Sequence, residues 1–210
     1  MTLSSLAPLA PLVIVALSSV LIMLTLAFRR NHALTASLTL VGLGLAIAAL
    51  FVMPSDSFQV TSLMVVDGYA RFFTGLLLSA SFAVVLFSHG YLTRRSDSPE
   101  EFYLLILLAT LGAAVLVASS HFASFFLGLE ILSVSLYALI AYLRPEARGV
   151  EAAVKYLVLA AASSGFLLFG IALVYAETGT MEFARITSVS PLGSNVQNLV
   201  LLSGMAMIIV

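Results

Sequence analysis

Residues Phe122 to Leu143 read FASFFLGLEILSVSLYALIAYL, and Glu130 is the one charged side chain among them. A run of ~20 apolar residues is long enough to cross a bilayer as a helix. A carboxylate near the middle of such a helix costs at least ~2.5–3.5 kcal/mol on the insertion scale. A segment that only had to span would carry Leu or Ala there, so the acid points to proton handling. Ser133 and Tyr137 follow at i+3 and i+7 and share its face, a polar stripe able to hold water or pass a proton. Whether Glu130 is ionised depends on its neighbours, because an adjacent cation favours the charged form. The alternative is a protonated Glu held by a hydrogen bond between helices, a job that Gln does at lower cost.

Lys155 is the second charge inside an apolar run, about one turn into the sixth helix. Three readings stay open. The side chain snorkels to the headgroups, pairs with Glu151 four residues earlier, or faces a hydrated cavity and exchanges protons. Glu130 and Lys155 differ in depth by roughly 12 Å at 1.5 Å per residue. No direct salt bridge between them is expected, and water or another residue must link them.

These residues need a membrane scaffold, and the composition supplies it. The chain has 210 residues, 61% hydrophobic and 9% charged, with a mean hydropathy of +1.15, whereas soluble domains carry about 25% charged residues. The net charge of −1 argues against nucleic acid as a partner. Cysteine is absent, which excludes disulfides and Cys-held metal or cluster sites in this chain. Three scattered histidines make a poor metal set. No nucleotide-binding loop, nucleophile–base pair or redox motif is present, so no cofactor and no direct NADH binding are expected here.

Six complete spans are expected, at about 9–28, 33–53, 71–91, 100–119, 122–143 and 150–175, with a truncated seventh beginning near Val196. Residues 196–210 rise about 22 Å as a helix, short of the ~30 Å core, which implies a piece of a longer protein. The fold class is all-α, a polytopic transmembrane helix bundle. All six prolines fall in loops or at helix starts, where a missing N–H does little harm. No charge precedes the first run and Arg29-Arg30 follow it, the reverse of a signal peptide, so it is read as a retained helix.

Between the second and third spans, Phe58–Val60 and Met64–Val66 suit a short hairpin. Asp67 suits a helix cap or a pair with Arg71. Ser98-Pro99-Glu100-Glu101 has the pattern of a capping box. His32 is placed in a solvated basic turn, and His89 and His121 near the two membrane surfaces. The small-residue run from Ala160 to Gly165 is read as close helix packing. The links after spans one, three and five hold Arg29, Arg30, Arg94, Arg95, Arg144 and Arg148. The positive-inside rule therefore puts the N-terminus outside.

VVDGYARFF (Val65–Phe73), the stretch Glu100–Tyr142 with its GLE around Glu130, and EAAVKYLVLAAASSGFLLFGIALVY (Glu151–Tyr175) carry a resemblance. The sequence resembles the subunit-N family of antiporter-like membrane subunits from bacterial proton-pumping NADH:quinone oxidoreductase, respiratory complex I. The likeness covers nearly the whole chain, most weakly residues 1–60.

The resemblance implies a fold of about fourteen helices with two inverted repeats. Residues 1–99 would then be three N-terminal helices, and 100–210 the start of the first repeat. It also implies that Glu130 and Lys155 are the proton-translocating glutamate and lysine, with Ser133 and Tyr137 as a polar relay. The chain would sit in the bacterial inner membrane among other membrane-arm subunits, coupling quinone reduction to proton transfer. FMN and iron–sulfur clusters would belong to the parent complex, which would be the enzyme. Other readings are a subunit of a multi-subunit sodium/proton antiporter or membrane-bound hydrogenase, or a structural membrane subunit with no proton path of its own.

Overall fold

A long apolar segment in lipid must satisfy its backbone N–H and C=O groups within itself, so runs of this length form helices. The computed structural model describes residues 7–28, 30–52, 58–95, 99–142, 147–189 and 195–209. A short 3-10 turn, Ala7–Leu9, leads into α1 (Ala10–Phe28), followed by α2 (His32–Val52), strands β1 (Phe58–Thr61) and β2 (Met64–Val66), α3 (Gly68–Arg95), α4 (Glu100–Val117), α5 (Phe122–Ile140), α6 (Ala147–Thr178), α7 (Phe183–Val189) and α8 (Asn195–Ile209). Six helices, α1 to α6, are long and apolar enough to cross a membrane, and α8 holds a shorter apolar stretch.

The ends of several elements have local causes. Asp67 caps α3: its Oδ1 accepts from the Ala70 N–H at 2.7 Å, so the helix starts at Gly68, three residues before the expected Arg71. Arg71 instead donates to the Leu50 carbonyl at 3.3 Å, near the end of α2. The capping box expected before α4 depends on Ser98. Pro99 is the cap residue and makes no side-chain cap bond, Ser98 lies outside the described residues, and Glu101 pairs with Arg30 at 3.3 Å. The polar stretch between α6 and α8 was expected to be a loop, and seven of its residues form α7. Asp56, Arg29 and Arg144 also lie outside the described residues.

The predicted hairpin is present, with Phe58 opposite Val66 and Gln59 opposite Val65. It docks by backbone hydrogen bonds on the short link between α4 and α5. The Val65 N–H donates to Ala118 O at 2.9 Å and the Ser120 N–H to Leu63 O at 3.0 Å. The other side of the link pairs with the segment after α6, through Phe122 N–H to Met181 O at 3.0 Å and Phe183 N–H to Ser120 O at 3.1 Å. His121 caps α5, its ring Nδ1 accepting from the Ala123 N–H at 3.0 Å. A belt of paired backbone thus crosses the outer face and fixes the start of α5, eight residues ahead of Glu130.

A shared apolar core joins α1 to α4, built on Val15, Ile22, Leu43, Leu78, Tyr103 and Leu107. Helices α4 and α5 cross at two glycines. A Cβ on Gly112 would lie 2.5 Å from the Leu132 nitrogen, and one on Gly128 would lie 2.8 Å from the Leu116 nitrogen. Helices α6 and α8 meet in the same way, a Cβ on Gly170 lying 2.7 Å from the Gly204 carbonyl oxygen. Close backbone approach of this kind replaces the hydrophobic drive that lipid cannot provide between helices.

Replacing Gly112 or Gly128 by Ala is expected to force α4 and α5 apart. Overpacking of this kind costs about 1–3 kcal/mol. Gly44→Ala, where nothing lies within 4 Å of the added carbon, is expected to be neutral or stabilising, since Ala exceeds Gly in helix propensity by about 1 kcal/mol. Thermal unfolding in detergent, followed by circular dichroism, distinguishes the two sets.

Candidate functional site: a carboxyl group between two membrane helices

α5 and α6 touch along a strip that contains Glu130. The Ser164 hydroxyl, on α6, donates to Glu130 Oε1 at 2.6 Å. Glu130 is half-buried in the chain. Its carboxyl group is therefore turned towards α6 and held by a polar partner, rather than directed into hydrocarbon. Ser164 was read from sequence as part of a packing stripe; the structure makes it the hydrogen-bond donor of the site. Its position gives the reason. A lone small polar residue in a run of Ala, Ser and Gly looks the same whether it packs or donates, and only the helix pairing tells the two apart.

The other expected relay residues are nearby on α5. Ser133 is buried, at 8% exposure, and Tyr137 lies half-buried with its ring 5.4 Å from that of Tyr156 on α6, edge to face. The α5–α6 seam thus carries, from the middle towards the inner end, Glu130 with Ser164 and then Tyr137 with Tyr156. Among the described residues, no hydrogen bond joins Ser133 or Tyr137 to the Glu130 carboxyl; the side chains share its helix and its neighbourhood.

Lys155 lies elsewhere. Its ammonium pairs with Glu151 one turn earlier on α6, and the side chains are 70% and 63% exposed. Nine residues separate Lys155 from Ser164, which at 1.5 Å and 100° each is about 13 Å along α6 and half a turn around it. Lys155 consequently faces away from α5, and Glu130 and Lys155 do not pair. Of the three sequence readings, the pair with Glu151 is the one that forms. Much of the outer surface of α6 is apolar and exposed, including Val154, Val158, Leu159 and Phe166.

No group of three or more His, Asp or Glu side chains among the described residues is arranged to hold a metal. The chemistry open to the seam is gain, loss and passage of protons at a carboxyl group flanked by hydroxyls.

Residues 119–210 match the family described as NADH:quinone oxidoreductase/Mrp antiporter, TM. The match starts at the link ahead of α5 and includes Glu130, Lys155 and Ser164. A chain of respiratory complex I from Thermus thermophilus superposes with a TM-score of 0.72 at 31% identity, over 93% of this chain and 43% of that one. The fold is that of the antiporter-like membrane subunits. A chain of the membrane-bound sulfane sulfur reductase, an archaeal respiratory membrane complex, shares the fold with a TM-score of 0.80 at 24% identity, over 98% of this chain and 43% of that one. The chain thus spans less than half the length of either structural relative. It is a multi-pass membrane protein.

The Ser164 contact has a spectroscopic consequence. Removing the hydroxyl with Ser164→Ala is expected to shift the infrared carboxyl band of Glu130 and to destabilise the α5–α6 pair by about 0.5–2 kcal/mol, the range for interhelical polar contacts in membranes. Ser164→Thr, which keeps the donor, should leave the band close to its wild-type position. Glu130→Gln identifies the band by deleting it.

Proposed function

We propose that this chain is part of an antiporter-like membrane subunit of a proton-pumping NADH:quinone oxidoreductase, of the subunit-N type, and that Glu130 is its proton-loading group. The observation that carries the proposal is the Glu130–Ser164 hydrogen bond across the α5–α6 seam, found inside the segment that matches the oxidoreductase/antiporter family. A lipid-embedded acid that is turned inwards and partnered is the pattern of an intramembrane proton relay.

In this reading Glu130 exchanges a proton with water or polar groups along the seam, while Ser164 holds Oε1 and keeps the carboxyl group aimed at α6. Ser133 and Tyr137 flank the path on the inner side. Lys155 contributes through its ion pair. When Glu151 and Lys155 separate, a positive charge is released about two and a half turns from Ser164 along α6, and the field at Glu130 changes. A direct charge pair is ruled out by the orientation of Lys155, so hydrated groups between them complete the link. The energy comes from quinone reduction in other subunits, where FMN and iron–sulfur clusters would reside; the partners of this chain are neighbouring membrane-arm subunits and the lipid of a bacterial inner membrane. Residues 100–210 would be the opening of the first antiporter repeat.

The family description also covers Mrp antiporters, and copurification separates the two assignments. A complex I subunit brings flavin, iron–sulfur subunits and NADH oxidation with it; an Mrp subunit brings none of these. The decisive substitution is Glu130→Gln in the assembled complex. Proton pumping is expected to fall by roughly 100-fold, the low end of what a positioned acid–base group contributes, with assembly unchanged. Wild-type pumping and quinone reduction in that variant would overturn the assignment. Lys155→Ala is expected to give a smaller loss, because it acts at a distance.

A further inference from the structure

The inner end of the bundle holds a second polar cluster, remote from the α5–α6 seam. It is built from α2, α3 and α4. His32, expected in a solvated turn, is instead the first residue of α2 and half-buried. Its Nε2 lies 2.7 Å from the hydroxyl oxygen of Tyr103, a side chain with 0% exposure. Its Nδ1 lies 3.3 Å from Thr93 Oγ1. The ring of His89 stacks on it with centroids 4.2 Å apart and planes 28° from parallel.

The hydrogens in this cluster can be assigned one by one. Thr93 donates its own hydrogen to the His89 carbonyl at 2.7 Å, so towards His32 its oxygen accepts, and Nδ1 carries a hydrogen. Ser88 donates its hydrogen to the Val85 carbonyl at 2.9 Å; its oxygen lies near the Tyr103 hydroxyl and can accept there. Tyr103 then has one hydrogen and two acceptors in reach: His32 Nε2 when that nitrogen is bare, and Ser88 Oγ. With neutral His32, the phenol donates to Nε2. When Nε2 takes up a proton, the phenol O–H turns to Ser88 and the phenol oxygen accepts from the new N–H. Every group keeps a partner in both forms, which is what a site that loads and unloads a proton requires.

The surroundings supply a counter-charge. Glu100, at 8% exposure, acts electrostatically on both His32 and Tyr103. Tyr142, after α5, also acts on Tyr103. Two residues ahead of His32, Arg30 is already paired with Glu101. His89 and Thr93 are exposed, which gives the proton a route in from the inner aqueous phase.

We propose that His32, His89 and Tyr103 form a second proton-binding site, which takes one proton from the inner aqueous phase onto His32 Nε2 and is separate from Glu130. The site binds and stores a proton next to Glu100, at the point where α2, α3 and α4 are tied together. Uptake forms one N–H bond at Nε2, breaks one O–H bond of a hydronium ion, which leaves as water, and reorients the phenol O–H.

Nitrogen-15 NMR of the histidine side chains, in the full-length protein in lipid nanodiscs, tests this directly. In the wild type, His32 Nδ1 should stay protonated across the titration while Nε2 switches from acceptor to donor. His89→Gln, which removes the stacked imidazole, should shift the His32 midpoint. Tyr103→Phe should move the His32 midpoint by about one pH unit or more, the effect of one charge-assisted hydrogen bond. Thr93→Val, at an exposed position, should shift His32 without disturbing the core if Tyr103→Phe fails to fold. Glu130→Gln should leave the histidine titration unchanged, which keeps this outcome distinct from that of the seam. A His32 titration unaffected by these substitutions, or one in which Nε2 never becomes a donor, would overturn the proposal.

Discussion

One hydrogen bond, from the Ser164 hydroxyl to the Glu130 carboxyl, decides which way the charged side chain of α5 points. In lipid a carboxyl group has few ways to be satisfied, and each requires a second helix at the right height. α6 provides that helix. The rest of the chain can be understood as what brings α5 and α6 to this register and keeps them there. The outer backbone belt fixes where α5 begins. The Gly112–Gly128 crossing fixes its distance from α4, and α4 shares the core of α1 to α3.

The packing is uneven, and the unevenness has meaning. α4 and α5 lie so close that a single methyl group would strike backbone. The α5–α6 contact is less extensive than the α4–α5 or α6–α8 contacts. Loose contact at the seam leaves room for rotamer changes at Glu130, whereas tight glycine crossings lie on either side. A proton site between two closely packed glycine faces would have no such freedom.

Polar groups are sorted by depth. The outer end uses backbone pairing between the hairpin, the α4–α5 link and the segment after α6. The middle has Glu130 and Ser164. The inner end carries side-chain chemistry: His32, His89, Thr93, Tyr103 and the Arg30–Glu101 pair. This division matches the direction inferred from arginine placement, with the more titratable end on the inner side.

The spans, their approximate ends, the hairpin and the position of Glu130 within a span were legible in the sequence, because each depends on local properties: length of apolar run, proline position and alternation. Side-chain partnership was not. Ser164 sits in a small-residue run that satisfies packing rules equally well, and His32 sits in a basic turn beside Arg30, where solvent is the default expectation. Each acquired its role from a residue 34 or 71 positions away in the chain. Sequence alone determined that this chain crosses the membrane many times and carries one acid at depth, since hydrophobicity and charge act on each segment separately. The tertiary structure alone decided what that acid touches, that Lys155 faces the other way, and that two histidines share one pocket, because these depend on helix rotation and on which faces meet.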